Sequence, residues 1–441
     1  MGRFPFGRDQ RRAYLIVAVL ALLVGGGSAL KASWGAAKVS SAPRDGTATP
    51  VATGTAGGDA TATPASVAGT AVVSATVTAT ATVQDTPTLA LSKLKTVHRT
   101  NGYQIGTYYF SGWSHGQNDN LTPTLIKGPL KSYEPLIGWY DDSQAQVDRH
   151  ILQASAAGIN FFAFDWYDTA KSPYPSDKTL NEALGFFLTS KQRYRMNFAL
   201  TFIDQAPFLP TAKDWPGLVD KWISYFKQPD YVRVNGKPLF IVFSPEHMRT
   251  EVFGSSAKVR QALNYLRKRA VQAHLPGVTI AVGATLVPKY NPGRIGQLLS
   301  EGYDVATGYN YHAMGNEQYR KPVPYRYLVQ ENQQMWDRVA RNIKLPYIPV
   351  ITSGWDQRFS YREQRTAIIY AGRTPKEFGC YAASARRWID ANAKRTVKER
   401  IVMVFAWNEI GEGGAIIPSK AYGYSYTDAL RKAFSSAKPS C

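Results

Sequence analysis

The sequence predicts one α/β catalytic domain, a (β/α)8 TIM barrel, behind an N-terminal signal or anchor and a disordered stalk. Short apolar runs alternate with longer amphipathic segments, which is the pattern of repeated strand–helix units around a parallel sheet. Eight such units can be counted. Most of the apolar runs also end in an aromatic residue, a carboxylate or both, and a barrel of this type carries its site at those strand ends.

Residues 1–39 are predicted to hold a signal peptide or a signal anchor. An apolar run over residues 13–24 follows four arginines, Arg3, Arg8, Arg11 and Arg12, and precedes small residues, as in an export signal. Counted as far as Leu30, the run reaches about the lower limit of length for a spanning helix. Cleavage therefore stays open. We expect either a secreted protein or one held by its N-terminal segment in the membrane and facing outside.

Residues 40–95 are predicted to form a disordered linker, because a segment of Ala, Thr, Val, Gly, Ser and Pro cannot bury enough surface to fold. The catalytic domain is predicted to span residues 96–441. The formal net charge of +20 favours either anionic surroundings, such as membrane lipid or acidic glycan, or a solvated basic surface. No basic cluster interleaved with aromatic residues occurs, so nucleic acid is not an expected partner. We expect a monomer.

Cys380 and Cys441 are the two cysteines of the chain, too few for a disulfide framework or a cysteine zinc site. One bridge and two free thiols both stay open, because the sequence does not supply the required Cβ geometry. Convincing metal-ligand spacing, a Gly-x-Ser-x-Gly elbow, a phosphate loop and a dinucleotide fingerprint are all absent from the sequence. We expect neither a metal nor a cofactor.

The apolar runs place the eight strands at residues 105–110, 160–164, 197–202, 239–243, 279–284, 305–309, 348–352 and 401–406. A helix is predicted after each strand, for example over residues 143–157, where Gly158 is a good C-cap signal, and over residues 257–273. A sugar site needs aromatic faces and carboxylates or amides at such strand ends. The predicted substrate-binding residues there are Tyr108, Tyr109, Asp165, Trp166, Tyr309, His312, Trp355, Asp356, Trp407 and Asn408.

The last strand leads into the motif WNEIGEGG at residues 407–414, which brings Glu409 and Glu412 together. A glycosidase uses two carboxyl groups, one to protonate the leaving oxygen and one as base or nucleophile. The alternative is a strand end followed by a solvated acidic turn. Alternatives also exist for Asp165, as a structural hydrogen-bond acceptor, for the tryptophans, as packing at the barrel edge, and for His312 and His115, as neutral hydrogen-bonding side chains.

Four sequence blocks resemble glycoside hydrolase family 99 and the WbsX-like proteins. They are residues 135–142 (PLIGWYDD), 158–167 (GINFFAFDWY), 353–358 (SGWDQR) and 406–414 (AWNEIGEGG). The resemblance spans the whole predicted barrel and implies a retaining endo-glycosidase that acts on mannose-type polysaccharide without a metal. It implies that Glu409 activates the sugar's own 2-hydroxyl and that Glu412 is the general acid/base. The first block adds Trp139 and Tyr140 to the predicted substrate site.

Two positions depart from the family pattern, which has an aromatic residue at position 410 and a glutamate at position 417, where this chain has Ile410 and Ile417. The substrate can therefore differ even where the chemistry persists. Two other functions stay open: a glycosyltransferase of polysaccharide biosynthesis, as some WbsX-like proteins are described, and a barrel that binds carbohydrate without catalysis. The sequence does not identify the sugar, the linkage or the chain length.

Overall fold

The computed structural model describes residues 100–113, 131–283, 292–311, 322–359, 368–435 and 441. The predicted signal or anchor and the linker lie outside these residues, as do His115 and His312, and the domain boundaries stay predictions. Among the described helices, none is both long and apolar enough to cross a membrane.

Eight parallel strands form the centre of the described domain. They are β1 (Gln104–Tyr109), β2 (Phe161–Trp166), β3 (Asn197–Phe202), β4 (Lys237–Val242), β5 (Thr279–Val282), β6 (Val305–Ala306), β7 (Val350–Thr352) and β8 (Ile401–Phe405). Their order in the sheet is β6-β5-β4-β3-β2-β1-β8-β7, and every neighbouring pair is parallel. The eight strands predicted from the apolar runs are confirmed, each end within three residues.

The sheet closes into a ring between β6 and the residues that precede β7. The Ala306 N–H donates to the Pro346 carbonyl at 2.9 Å, and the Ile348 N–H donates to the Ala306 carbonyl at 2.9 Å. Ala306 and Tyr347 form a parallel bridge at this seam. Because every strand then has a neighbour on both sides, the described strands confirm the predicted barrel.

One long helix follows each strand. The helices are α1 (Gln144–Ala156), α2 (Glu182–Thr189), α3 (Trp215–Phe226), α4 (Ser256–Gln272), α5 (Pro292–Glu301), α6 (Tyr325–Asn342), α7 (Pro375–Ala391) and α8 (Ser425–Ser435). Side-chain caps begin α1, α4 and α7, from Ser143, Ser255 and Thr374. The Ser143 hydroxyl, for example, accepts from the Gln146 N–H at 3.4 Å, which stabilises an otherwise unpaired donor. Gly158, with φ of +79°, ends α1 as predicted.

Shorter elements complete the domain. The two-residue strand Arg233–Val234 pairs antiparallel with β4, and Val323–Pro324 pairs with Tyr370–Ala371. Helical turns occur at Lys131–Tyr133, Pro175–Thr179, Arg193–Arg195, Pro245–His247, Met248–Val252 and Gln357–Phe359.

Strand alternation divides the apolar side chains between the barrel interior and the layer under the helices. On β2, Phe162 and Phe164 pack against Phe187 of α2, with ring centroids 6.4 Å and 5.4 Å away. Asp165, next in sequence to Phe164, therefore points to the opposite side, into the barrel.

Cys380 and Cys441 form a disulfide, with Cα atoms 5.4 Å apart. The bridge ties the last residue of the chain to α7 across a separation of 61 residues. Of the two states that the sequence leaves open, the structure contains the paired one.

Candidate functional site

The segment that follows β8 folds back onto its own strand. The Ala406 N–H donates to the Gly414 carbonyl at 2.8 Å, and the Ile417 N–H donates to the Trp407 carbonyl at 3.0 Å. The Asp356 N–H, after β7, donates to the Glu412 carbonyl at 2.8 Å. Residues 407–417 are thus fixed by backbone hydrogen bonds on both sides, which gives Glu409 and Glu412 a rigid base.

Two glycines allow this close packing. Gly413 has φ of +67°, a region that side-chain-bearing residues rarely adopt. At Gly354, a Cβ atom would lie 2.6 Å from the Gly413 carbonyl oxygen. Any larger residue at position 354 would therefore displace the segment that carries Glu412.

A hydroxyl group joins two carboxyl groups at the mouth of the barrel. The Tyr309 hydroxyl lies 2.7 Å from Asp165 Oδ2 and 2.8 Å from Glu409 Oε1. Asp165 comes from the end of β2, Tyr309 follows β6 and Glu409 follows β8, so three distant segments meet here. Exposed fractions are 2% for Asp165, 4% for Tyr309 and 8% for Glu409. We call Asp165, Tyr309 and Glu409 the carboxyl bridge.

The ring of Tyr309 is held by aromatic neighbours. Its centroid lies 4.6 Å from that of Tyr108, 5.2 Å from that of Phe243 and 5.2 Å from that of Phe405. Tyr108 is itself fixed by a hydrogen bond from its hydroxyl to the Gly308 carbonyl. These contacts leave the Tyr309 hydroxyl little freedom to leave the carboxyl groups.

Burial shifts the acidity of all three carboxyl groups. It raises the pKa of Glu409 to about 7, while the hydrogen bond from Tyr309 opposes that rise. Burial, and then the charges of Glu409 and Asp165, raise the pKa of Glu412 well above its usual range. Burial and the charge of Glu409 do the same to the pKa of Asp165. Near neutral pH, Glu409 is therefore the group of the three that ionises.

Two carboxylate atoms of the site are buried and make no hydrogen bond within the described part of the chain: Asp165 Oδ1 and Glu412 Oε2. Buried polar atoms of this kind are uncommon in folded proteins and point to a ligand or a functional role. Both are acceptors or, when protonated, donors for a sugar hydroxyl or a glycosidic oxygen.

The sequence list omits Tyr167, which belongs to this group. Burial, and then the charges of Asp165, Glu409 and Glu412, raise the pKa of Tyr167. The signal was present in the sequence, since residues two apart on a strand share a face and Tyr167 follows Asp165 by two.

Three predicted substrate contacts lie instead in the layer between strands and helices. Tyr109 bonds through its hydroxyl to His150 Nδ1 at 2.9 Å. Trp166 packs against Trp222 of α3 at 5.5 Å, and Trp407 packs against the His150 ring at 5.9 Å. Trp166 and Trp407 thus pack as in the alternative that the sequence left open, and Tyr109 lies in the same layer.

Asn408 joins the ends of β1 and β8. Its Oδ1 accepts from the Phe110 N–H at 2.8 Å, and its Nδ2 donates to the Phe110 carbonyl at 2.8 Å. The Trp113 indole N–H donates to the Asn408 carbonyl at 3.1 Å. The Tyr140 hydroxyl lies 3.4 Å from Asn408 Nδ2. Burial, and then the charges of Asp142 and Glu409, raise the pKa of Tyr140. Asn408 thus fixes the backbone next to Glu409, and Tyr140 contacts the site through Asn408.

The remaining predicted residues lie around this centre. Trp355 is buried, with its ring 5.9 Å from that of Phe405. Asp356 contacts the site through its backbone, while its carboxylate pairs with Arg358 at 2.6 Å. Trp139 is half-buried and packs against the core. His312 lies outside the described residues, and the described residues contain no group of three or more acidic, histidine or cysteine side chains that could hold a metal.

The chain matches a known protein family over more than half of its length. A family model described as "Glycosyltransferase WbsX" matches residues 191–430. The uncharacterized protein WxcX of Xanthomonas campestris pv. campestris is 26% identical over 244 residues, 53% of this chain and 32% of that protein. The chain therefore spans about a third of the length of that curated relative.

Solved structures with similar folds include glycoside hydrolases. A "Glycoside hydrolase-like protein" has a TM-score of 0.55 at 17% identity, covering 80% of this chain and 99% of its own. The GH99 endo-alpha-mannosidase from Bacteroides thetaiotaomicron has a TM-score of 0.44 at 13% identity, covering 75% of this chain and 98% of its own. The first similarity shows that the barrel fold is shared.

Proposed function

This chain belongs to the WbsX family, and we propose that it acts as an exported, retaining endo-glycosidase on a mannose-containing or related polysaccharide. One observation carries the proposal: Glu409 and Glu412 lie buried together at the end of β8, with the pKa of Glu409 at about 7 and that of Glu412 well above its usual range. Such a pair supplies a base and an acid at the same pH.

In the first half-reaction, Glu409 takes the proton of the sugar's 2-hydroxyl, and the 2-oxygen attacks the anomeric carbon. The glycosidic bond breaks as Glu412 gives its proton to the leaving oxygen, and a 1,2-epoxide-like intermediate remains. This division of labour follows the resemblance to family 99. The pKa order supports it, because the group with the pKa near 7 can ionise while Glu412 keeps its proton.

In the second half-reaction, Glu412 takes a proton from water, and the hydroxide oxygen bonds to the anomeric carbon. The carbon–oxygen bond of the strained ring breaks, and Glu409 returns its proton to the 2-oxygen. Both carboxyl groups recover their starting states. Two displacements at one carbon retain its configuration.

The resemblance to family 99 supports the proposed chemistry more strongly than it supports any particular substrate. Ile410 and Ile417 are both buried, with exposed fractions of 3% and 5%. Because they carry apolar side chains where family 99 has an aromatic residue and a glutamate, we propose a substrate related to, and distinct from, that of the family. Export, by a cleaved signal or a membrane anchor, and a monomeric state complete the proposal.

A second candidate is favoured by the family's own description as a glycosyltransferase. Transfer from a nucleotide sugar would use the same barrel with an activated donor in place of a polysaccharide. A third candidate, a barrel that only binds glycan, leaves the buried carboxyl groups without a task.

Product analysis separates these candidates. The protein is incubated with mannans, glucans and acidic exopolysaccharides, and separately with nucleotide sugars and acceptor glycans. We expect oligosaccharides released with retained anomeric configuration by NMR. Glu412→Gln should lose hydrolysis but keep glycan binding, because the amide is nearly isosteric and delivers no proton. Glu409→Gln should lose several powers of ten in rate even with an activated leaving group. Turnover that requires a nucleotide sugar would refute hydrolysis.

A further inference from the structure

We infer that Asp165 is a positioning residue that stays protonated and, through the Tyr309 hydroxyl, holds Glu409 ionised as the base. The position of this proton is independent of the proposed function, whereas the role of Glu409 as a base rests on it. The proposal assigns a task to a buried carboxyl group that the two-glutamate scheme does not use.

The two hydrogen bonds of the carboxyl bridge need more hydrogens than the Tyr309 hydroxyl supplies. Two hydrogen bonds, at 2.7 Å and 2.8 Å, need two hydrogens, and the Tyr309 hydroxyl carries one. For both contacts to be full hydrogen bonds, the second hydrogen comes from one of the two carboxyl groups. The alternative, two anions that share one hydrogen, would place two charges in a buried site, which desolvation strongly opposes.

Asp165 is the member of the pair that keeps the proton. It is the more buried of the two, and its second oxygen has no hydrogen-bond partner among the described residues. A protonated Asp165 donates from Oδ2 to the Tyr309 oxygen, and Tyr309 in turn donates to Glu409 Oε1. The charge of the bridge then rests on Glu409, which is where a base for a sugar hydroxyl needs it.

The surrounding groups agree with this arrangement. The titratable groups around Asp165 are two carboxyl groups and three hydroxyl groups. Glu409 and Glu412 come from the segment after β8. Tyr309 follows β6, Tyr108 lies on β1, and Tyr167 follows the strand of Asp165 itself. Among the described residues, no lysine or arginine forms an ion pair with Asp165, Glu409 or Glu412. Burial and the charge of Glu409 therefore oppose an anion at Asp165, whereas the hydrogen bond from Tyr309 favours it.

Infrared difference spectroscopy tests the proton position without a substrate. Near neutral pH, the difference between wild type and Asp165→Asn should show loss of a protonated-carboxyl C=O band. The matched control Asp220→Asn, at an exposed aspartate paired with Arg269 at 2.7 Å, should lose carboxylate bands instead. If Asp165→Asn does not fold, Asp165→Ser removes the same carboxyl group and should lose the same band. Loss of carboxylate bands at Asp165 would overturn the inference.

The pH profile of kcat/KM tests the effect on Glu409. An amide at position 165 can donate to Tyr309 as the protonated carboxyl does, so Asp165→Asn should keep the acidic limb within about 0.3 pH units of wild type and exceed Asp165→Ala in rate by about tenfold. If Asp165 were an anion, its removal would lower the midpoint of that limb by about one unit or more, and the inference would be wrong. A lost protonated band without any hydrolysis would refute the glycosidase and leave the proton position standing.

Discussion

Tyr309→Phe removes both hydrogen bonds of the carboxyl bridge and should move the pH dependence of activity. A hydrogen bond to a charged group contributes about 1.5–3 kcal/mol, and one pKa unit corresponds to about 1.4 kcal/mol. Because Tyr309 lowers the pKa of Glu409, which stands at about 7, its loss should raise that pKa by about one to two units. Glu409 must be ionised to act as a base, so the acidic limb of kcat/KM moves to higher pH. At about pH 6 the rate should fall by about ten- to a hundredfold.

Tyr311→Phe is the matched control. Its hydroxyl lies 2.7 Å from the Tyr347 hydroxyl, it is buried and it follows β6 two residues after Tyr309. The assay is initial-rate release of reducing ends from the polysaccharide that the protein hydrolyses, measured across pH for both variants. The reasoning is refuted if Tyr309→Phe keeps the wild-type limb, or if Tyr311→Phe moves it equally.

Three further changes have defined outcomes. The pKa of Glu409 is about 7 in the folded protein and about 4.5 in the unfolded chain, so its contribution to stability is complete below about pH 4.5 and is lost as the pH rises through 7. Glu409→Gln should therefore raise the free energy of unfolding near pH 8 by up to about 3 kcal/mol and change it little near pH 4.5. Urea titration at the two pH values measures this difference. Equal gains at both would contradict this. Cys441→Ser should cost about 2–4 kcal/mol because the bridge with Cys380 closes a long loop; reductant should then destabilise wild type but not the variant. Trp407→Ala, in the core, should cost about 3–5 kcal/mol, whereas Trp139→Ala should cost less and raise KM; the reverse ranking would exchange their roles.

The barrel was predictable because its signal is local. Each strand is a short apolar run and several helices begin at a capping side chain, so the ends of β1 to β8 follow from a few neighbouring residues. The place of Glu409 and Glu412 in the fold was predictable for the same reason, since both lie in one motif after β8.

The direction of individual side chains was the harder part. Trp166 and Trp407 are next in sequence to Asp165 and Asn408, yet strand alternation turns them towards the helices. The link between Asp165 and Tyr309 spans 144 residues and exists once the ring has closed. A list of residues at strand ends identifies one edge of the barrel but does not specify which residues share a face.

The seam of the barrel, where β6 meets the residues that precede β7, is a short junction close to the carboxyl bridge. β6 has two residues, and the ring closes there through two backbone hydrogen bonds of Ala306 and one from the Thr307 hydroxyl to the Ile348 carbonyl at 3.0 Å. Tyr309 follows this seam by three residues. We expect local opening at so short a junction to withdraw its hydroxyl from both carboxyl groups at once, so that the population of closed seams would set the fraction of molecules in which the carboxyl bridge is formed. Exchange rates of the Ala306 and Ile348 amide hydrogens measure that population directly.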